Sequence, residues 1–249
     1  MSRHRTLAIC LLPALGLAWI GWTLHSQAEI RTLFAPRFGR PETEFDVSAA
    51  LFDGKPVADL LQTALHGSPQ EREFAVFDLA EVHHGCGRLT MHSGDCGRPR
   101  EERTRMLQLV RRGVLGPRAR AILPTLLHTI NDPVAKVRSA TAYVFMEMEA
   151  EALSACDALM ERLTDSDTET RLWSARALYS IRFETEAPIQ CATDALLHDS
   201  NPRMRSMAAY NLELMGQDAS PAVGALQQAL SDPESDVRRQ AQQALTGIR

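Results

Sequence analysis

Aromatic residues are scarce in this chain, and neither sign of charge is in large excess. Phe, Trp and Tyr make up 6% of the 249 residues, and the formal net charge is −4. A protein that binds nucleic acid usually presents a basic face, so this balance argues against a nucleic-acid partner. The sequence also lacks a recognisable phosphate-binding loop, a nucleophile–base pair and a Cys-x-x-Cys-His haem motif. We therefore expect a non-enzymatic protein without a cofactor.

What the sequence has instead is a repeated pattern of Asp, five residues and Arg in its second half. Successive arginines are 33 or 34 residues apart, and the four copies are Asp132/Arg138, Asp165/Arg171, Asp199/Arg205 and Asp232/Arg238. A fixed period of about 20–50 residues indicates a protein built from stacked repeats. Such a period favours partner binding over catalysis, although it does not name the partner.

Each copy of the pattern predicts a hairpin of two amphipathic helices. Positions 3, 7 and 10 after the Arg hold small or apolar residues, which is the period of a helix. A second apolar segment, such as the one from Leu123 to Ile130, precedes the Asp. The Asp is predicted to cap the second helix, with Pro133 or Pro233 at the first helical position. The Arg is predicted to reach an Asp carboxylate in its own or the adjacent unit and to form a structural ladder.

The stretches NDPVAKVRSATAYVF and DSNPRMRSMAAYNLELMG resemble HEAT-like repeats, in the short form also found in phycobilisome lyases. The similarity runs from Ala121 to Arg249. It implies an all-α fold, a right-handed α-solenoid of stacked helical hairpins of the HEAT-like or armadillo type. Some proteins with similar repeats are bilin lyases or deoxyhypusine hydroxylases. The hydroxylases use His-Glu dipeptides, which this chain lacks.

Two weaker copies of the repeat are predicted upstream of the clear ones. Arg105, with Leu115 and Gly116 after it, fits the register one period before Arg138, and Arg72 fits one period before that. About six units are therefore expected, of which the first two are degenerate. Degenerate terminal units are typical of the caps of repeat proteins.

The N-terminal segment, residues 1–28, is predicted to be a signal peptide or a membrane anchor. Arg3 and Arg5 precede an uncharged, mostly apolar run, and 26–28 would suit a cleavage site. The run is also long enough to span a bilayer, and Trp19 and Trp22 favour an uncleaved anchor. Either alternative exports the repeats, so we expect a periplasmic or extracytoplasmic protein. Residues 29–56 are predicted to be a tether, and 57–249 the repeat solenoid.

A Gly-rich insert at 83–99 interrupts the first units and gathers Cys and His residues. Nine residues separate Cys86 from Cys96. In an oxidising compartment, a disulfide between them is the favoured interpretation. The alternative is a metal site formed by His83, Cys86, His92 and Cys96, although the spacing matches no strong zinc signature. A third possibility is a pair of unpaired thiols.

A candidate binding surface lies on the second helices. If these helices line a concave face, their exposed positions are expected at +1, +5 and +8 from the Arg. Those positions hold every Tyr of the chain, and the predicted partner-binding residues are Tyr143, Arg176, Tyr179 and Tyr210. Tyr and Arg often anchor protein interfaces. The alternative is that the tyrosines are half-buried packing residues, and Trp173 is expected in the core.

The leading hypothesis is therefore an exported, membrane-tethered and non-catalytic scaffold that binds a protein or peptide on its concave face. The alternative is a metal-dependent or lyase-like enzyme that uses the His83–Cys96 loop. A membrane is expected to be contacted through the N-terminal segment only.

Overall fold

The computed structural model describes residues 45–84, 115–181 and 185–248, all of which belong to one compact unit. The predicted export segment and the residues Cys86, His92, Cys96 and Arg105 lie outside the described residues. Within the described ranges the chain is almost entirely helical, apart from one short β-hairpin.

The helices form pairs along the chain, and the second helix of each pair carries an even number. They are α1 (Val57–His66), α2 (Pro69–His84), α3 (Pro117–Thr129), α4 (Ala135–Met148), α5 (Cys156–Arg162), α6 (Thr168–Ile181), α7 (Glu186–His198), α8 (Pro202–Met215), α9 (Val223–Ala229) and α10 (Ser235–Gly247). Short 3₁₀ helices at Glu149–Ala155 and Gly216–Ala222 precede α5 and α9. The strands β1 (Leu51–Phe52) and β2 (Lys55–Pro56) pair antiparallel immediately before α1.

The even-numbered second helices stack side by side, and each also packs against the first helix of its own pair. The small residue at +3 and the apolar residues at +7 and +10 supply this core. Among the buried ones are Thr141, Ser174, Ala208 and Ala241 at +3, Phe145, Leu178 and Leu212 at +7, and Met148, Ile181, Met215 and Ile248 at +10. Because one hairpin cannot bury its own apolar face, the stacking of neighbours creates the core. The prediction of an all-α solenoid of stacked helical hairpins is confirmed.

The start of each second helix differs from the sequence prediction. The Asp132 carboxylate accepts the backbone N–H of Val134 at 2.8 Å, and Asp232 accepts that of Glu234 at 2.9 Å. This contact closes a turn over the two residues that follow the Asp, so the helix begins only at the third residue after it. The prediction that Pro133 and Pro233 occupy the first helical position is therefore wrong.

Among the second helices of the four clear units, only α8 begins with a proline. Pro202 is its first residue, and the Asn201 side chain caps it by accepting the backbone N–H of Arg203 at 3.0 Å. The step from Arg171 to Arg205 is 34 residues instead of 33, but α8 still begins at the third residue after its Asp. Asp199 closes the same turn by accepting the N–H of Asn201 at 2.8 Å.

The hairpin that contains Arg72 is a direct neighbour of the hairpin that contains Arg138. Arg72 on α2 donates directly to Asp132, which precedes α4, and α2 packs on α4. The predicted unit at Arg105 lies outside the described residues. Arg72 and Arg138 are 66 residues apart, which equals two periods of 33, although their helices α2 and α4 are adjacent. The described residues form five stacked hairpins.

The last part of the predicted tether belongs to the solenoid. Phe52 in β1 is buried, and Phe45 and Val47 pack against the core near α1. The Arg118 guanidinium lies 4.9 Å from the centre of the Phe45 ring. Residues 45–56 therefore cover the first hairpin. The start of the predicted insert at 83–99 is also shifted. The helix α2 continues through His84, so the first two residues of that insert are helical.

Candidate functional site

The repeated arginines connect consecutive units. Arg138 donates from Nε to Asp165 Oδ2 at 2.8 Å and from Nη2 to Asp165 Oδ1 at 2.7 Å. Its third nitrogen, Nη1, donates at 2.9 Å to the backbone carbonyl of Asp132, in its own unit. The Arg thus holds its own inter-helix turn and the acid of the next unit at once. We call these Arg–Asp pairs the ladder.

The same bidentate geometry occurs in two other pairs of the ladder, and one pair is looser. Arg72 pairs with Asp132 and Arg205 with Asp232 at 2.7–2.9 Å. Arg171 lies 3.9 Å from Asp199 and reaches it through the Thr168 hydroxyl. Arg238, in the last hairpin, donates to the carbonyl of Asp232.

Three ladder carboxylates remain charged in the folded protein. Burial is the largest single influence on Asp132 and Asp165 and raises the pKa of each. The hydrogen bonds and positive charges of nearby arginines, together with a backbone N–H donor, outweigh it and hold the pKa of each acid below its ordinary value. For Asp232 the hydrogen bond from Arg205 is the larger influence, and it also lowers the pKa. Because these groups occur in unit after unit and satisfy one another, the ladder reads as structure rather than catalysis.

The exposed face of the second helices is not the one expected. At position +1, Ser139 is 7% exposed and Leu172 is completely buried, and Met146 at +8 is also buried. A second helix packs against its own first helix and against second helices on both sides, so its buried arc is wide. From α4 to α10, positions +5 and +9 are at least partly exposed, and so is position +2 except at the buried Ala140. These three positions lie along one side of a helix.

Position +5 carries a nearly continuous row of aromatic and arginine side chains. The Phe77 ring on α2 lies 5.8 Å from Tyr143 on α4, and Tyr143 lies 4.9 Å from Trp173 on α6 at an interplanar angle of 86°. The Arg176 Cζ lies 5.6 Å from the Trp173 ring centre and 5.3 Å from that of Tyr210 on α8. These five residues form what we call the aromatic column, which crosses four second helices.

Two members of the aromatic column were not among the predicted partner-binding residues. Trp173 was assigned to the core because it occupies +2, yet it is half-buried and lies between Tyr143 and Arg176. Phe77 holds position +5 of the hairpin that contains Arg72. The repeat register could have found Phe77, because the same position gives Tyr143, Arg176 and Tyr210 in the next units.

Tyr179 does not join the aromatic column. Its hydroxyl lies 2.9 Å from the Met215 carbonyl oxygen and 3.0 Å from Asp218 Oδ2, and donates toward these acceptors. The contact connects α6 to the turn that leads into α9. Tyr179 thus has the packing role that was the alternative for the predicted tyrosines, whereas Tyr210 is 41% exposed.

Arg176 differs from the ladder arginines in its partners. Two aromatic rings flank its guanidinium, and within the described residues it makes no hydrogen bond or ion pair. Two large apolar side chains on other second helices are exposed: Phe74 on α2 is 55% exposed and Leu214 on α8 is 43% exposed. Stacking on aromatic rings stabilises the cation but leaves the N–H groups of a guanidinium available.

The alternative metal set is represented in the described residues by His83 alone. Its Nε2 lies 3.6 Å from Glu151 Oε2, and the buried Glu151 also accepts the backbone N–H of Gly116 at 2.9 Å. No group of three potential ligands comes together in the described parts of the chain. Helices long and apolar enough to cross a membrane are likewise not found in those ranges.

Comparisons with known proteins agree with this architecture. Residues 123–213 match the family model of HEAT repeats, whereas no curated protein matches the chain significantly. One similar solved structure is an engineered protein, 19% identical with a TM-score of 0.41, in a match that covers 76% of this chain and 95% of that one. Another is a designed armadillo repeat protein in complex with the peptide (KR)4, 17% identical with a TM-score of 0.46, covering 76% and 80%.

The match to HEAT repeats spans α4, α6 and α8, and the same Arg–Asp geometry continues to α2 on one side and to Asp232 on the other. Residues 123–213 are therefore HEAT-like repeats, and the described hairpins on either side share their ladder geometry.

Proposed function

We propose that this protein is a non-catalytic scaffold that binds a segment of a protein or peptide partner across its second helices, on the concave face of the solenoid. The observation that carries the proposal is the aromatic column. Aromatic and arginine side chains account for a large share of binding energy at protein interfaces. Here five of them make contact across four hairpins, although Phe, Trp and Tyr are only 6% of the chain.

The surroundings of the aromatic column support the same function. Phe74, Tyr210 and Leu214 expose large apolar side chains on the same side of the second helices. A contiguous apolar patch on a soluble domain is typical of an interaction site. The ladder, by contrast, offers its charged groups to its own neighbours and leaves little for a partner.

We further propose that the solenoid works outside the cytoplasm and is tethered to a membrane by its N-terminal segment. The support is the sequence of residues 1–28, with its basic start, its apolar run and the tryptophans near its end. A tethered scaffold would keep its partner close to the membrane surface.

The test is capture of the partner from native membranes with tagged full-length protein, compared with the variant Tyr143→Ala/Arg176→Ala/Tyr210→Ala. We expect a partner that the unmodified protein retains and the variant loses. Circular dichroism and the urea midpoint of the variant must first show that it folds.

A matched control places the substitutions on a first helix. Gln227 and Gln228 on α9 are exposed, and Gln227→Ala/Gln228→Ala should retain the partner fully. Retention of the partner by the aromatic-column variant, or loss by both variants, would show that the second helices do not form the binding surface.

A further inference from the structure

The guanidinium of Arg176 has a geometry suited to binding a carboxylate. The ring centres of Trp173 and Tyr210 lie 5.6 Å and 5.3 Å from its Cζ, and contacts with both rings restrict where the group can lie. The N–H donors of a guanidinium point outward in its own plane, and two of them match the two oxygens of a carboxylate. In the ladder, Arg138 and Arg205 use this edge for Asp165 and Asp232.

The edge of Arg176 has no such acid within the described residues. Glu213 on α8 accepts a hydrogen bond from Gln240 on α10, and Glu169 on α6 pairs with Arg203 at 3.6 Å. These two acids are therefore engaged with other residues. The scaffold presents a half-buried cation between two aromatic rings.

We infer that the partner segment presents one Asp or Glu carboxylate to Arg176 and apolar side chains to the rings on either side. This inference rests on the proposed function and specifies the chemistry of its partner. An internal segment fits better than a chain terminus, because Tyr143 and Phe77 continue the column on one side of Arg176 and Tyr210 continues it on the other. A terminus bound at Arg176 would leave one side uncovered.

The charge of the whole chain limits the partner to few acids. The formal net charge is −4, so a strongly acidic segment would be repelled over distances of about 10 Å, the screening length in dilute salt. A single acid between apolar residues avoids most of that repulsion. It gains the local, oriented contact with Arg176.

The spacing of the helices suggests where the apolar residues lie in the segment. Packed helices are about 8–10 Å apart. An extended segment in the polyproline II conformation rises about 3.1 Å per residue and repeats its orientation every three residues, which gives about 9 Å. Apolar residues three before and three after the acid would therefore meet the neighbouring rings.

The experiment measures binding of fluorescent, end-blocked peptides to the full-length protein by anisotropy. The probes share the pattern Leu-x-x-Z-x-x-Leu, where Z is Glu, Asp, Gln or Lys and x is Ser or Ala. We expect the Glu and Asp peptides to bind at least about tenfold more tightly than the Gln peptide, as a charge-assisted bidentate contact implies. Arg176→Gln should abolish this preference, and Arg239→Gln, on an exposed arginine of α10, should leave it intact.

Other outcomes separate this inference from the proposed function. Equal binding of all four peptides, weakened by Tyr210→Ala, would overturn the carboxylate contact and leave the scaffold function standing. Preference for Lys, or tighter binding of a peptide that ends in a free carboxylate at Z, would overturn the proposed internal acidic segment. Failure of every peptide to bind would overturn the inference, while capture of a partner from membranes would still test the function independently.

Discussion

The ladder runs along five hairpins and the aromatic column along the first four of them, yet the two differ in how their residues vary. The ladder position is Arg in every described hairpin, and its acceptor is an Asp wherever a following unit exists. Position +5, only five residues further along the same helices, changes from Phe77 to Tyr143, Arg176, Tyr210 and Gln243. The ladder Arg is required by a contact that each unit makes with its neighbour, whereas the residue at position +5 is not.

This difference distinguishes two uses of the same residue type. Arg138 binds a carboxylate and a carbonyl of the protein itself, whereas Arg176 contacts only rings and retains its donors. A side chain that repeats with the period serves the stack. A side chain that departs from the period on an exposed face is free to serve a partner.

The largest expected effect is at the ladder. Arg138→Ala should lower the free energy of unfolding by about 3 kcal/mol, because it removes the bidentate partner of the Asp165 carboxylate, which is 4% exposed, and leaves only the longer contact with Arg162 at 3.5 Å. Urea unfolding followed by circular dichroism measures the change. Arg171→Ala is the matched control and should cost less, since Arg171 is 3.9 Å from Asp199. Equal losses at both positions would contradict the importance of the bidentate geometry.

Acid should weaken the ladder and leave the aromatic column unaffected. The folded pKa values of Asp132, Asp165 and Asp232 are lowered, so these groups stabilise the fold fully above about pH 5, where the unfolded chain is also ionised. That contribution is lost as the pH falls through the ordinary Asp value of 3.8 toward the lower folded values.

The measurement of this pH effect is the urea midpoint between pH 7 and pH 3. The midpoint should fall steeply below about pH 4. Asp165→Asn should flatten the slope, because one of the titrating groups is removed. A midpoint that does not change with pH, or the same slope in the variant, would show that the ladder does not govern acid stability.

A smaller effect is expected where a tyrosine lies outside the aromatic column. Tyr179→Phe removes a hydroxyl that reaches Met215 and Asp218, and should lower the free energy of unfolding by about 1 kcal/mol without changing partner binding. Tyr210→Phe is the control. Its hydroxyl makes no hydrogen bond within the described residues, so its unfolding free energy should hardly change. A binding defect in Tyr179→Phe would return Tyr179 to the partner surface.

The smallest effect on stability is expected at Arg176. Arg176→Gln should change the free energy of unfolding by about 0.5 kcal/mol, because exposed cation–π contacts contribute little. Thermal and urea unfolding would check this value. A loss as large as that of Arg138→Ala would mean that both arginines are structural, and the contrast between the ladder and the aromatic column would fail.

The sequence predicted the solenoid well because its period is local. Spacings of +3, +7 and +10 specify an amphipathic helix without any knowledge of neighbours. Helix starts were misplaced, because Asp132 and Asp232 close a turn before the helix and only the backbone geometry reveals it. The adjacency of the Arg72 and Arg138 hairpins was not predicted, because a period counts residues and not contacts between helices.

The candidate site was predicted in part. Position +5 gave Tyr143, Arg176 and Tyr210. The expected exposure of +1 and +8 failed at Ser139, Leu172 and Met146, since second helices on both sides bury these residues. The spacing of residues within one unit does not indicate which positions the adjacent second helices bury. Trp173 was misassigned for the same reason.

By itself, the sequence determined the repeat type, the helical hairpin and the residues that link one unit to the next, because all of these follow from a period that each unit carries. Only the tertiary structure decided which hairpins are neighbours, which side of each second helix stays open, and that Arg176 lies between two rings rather than against an acid. Those features depend on packing between units, where the angle of one helix to the next sets what a side chain meets.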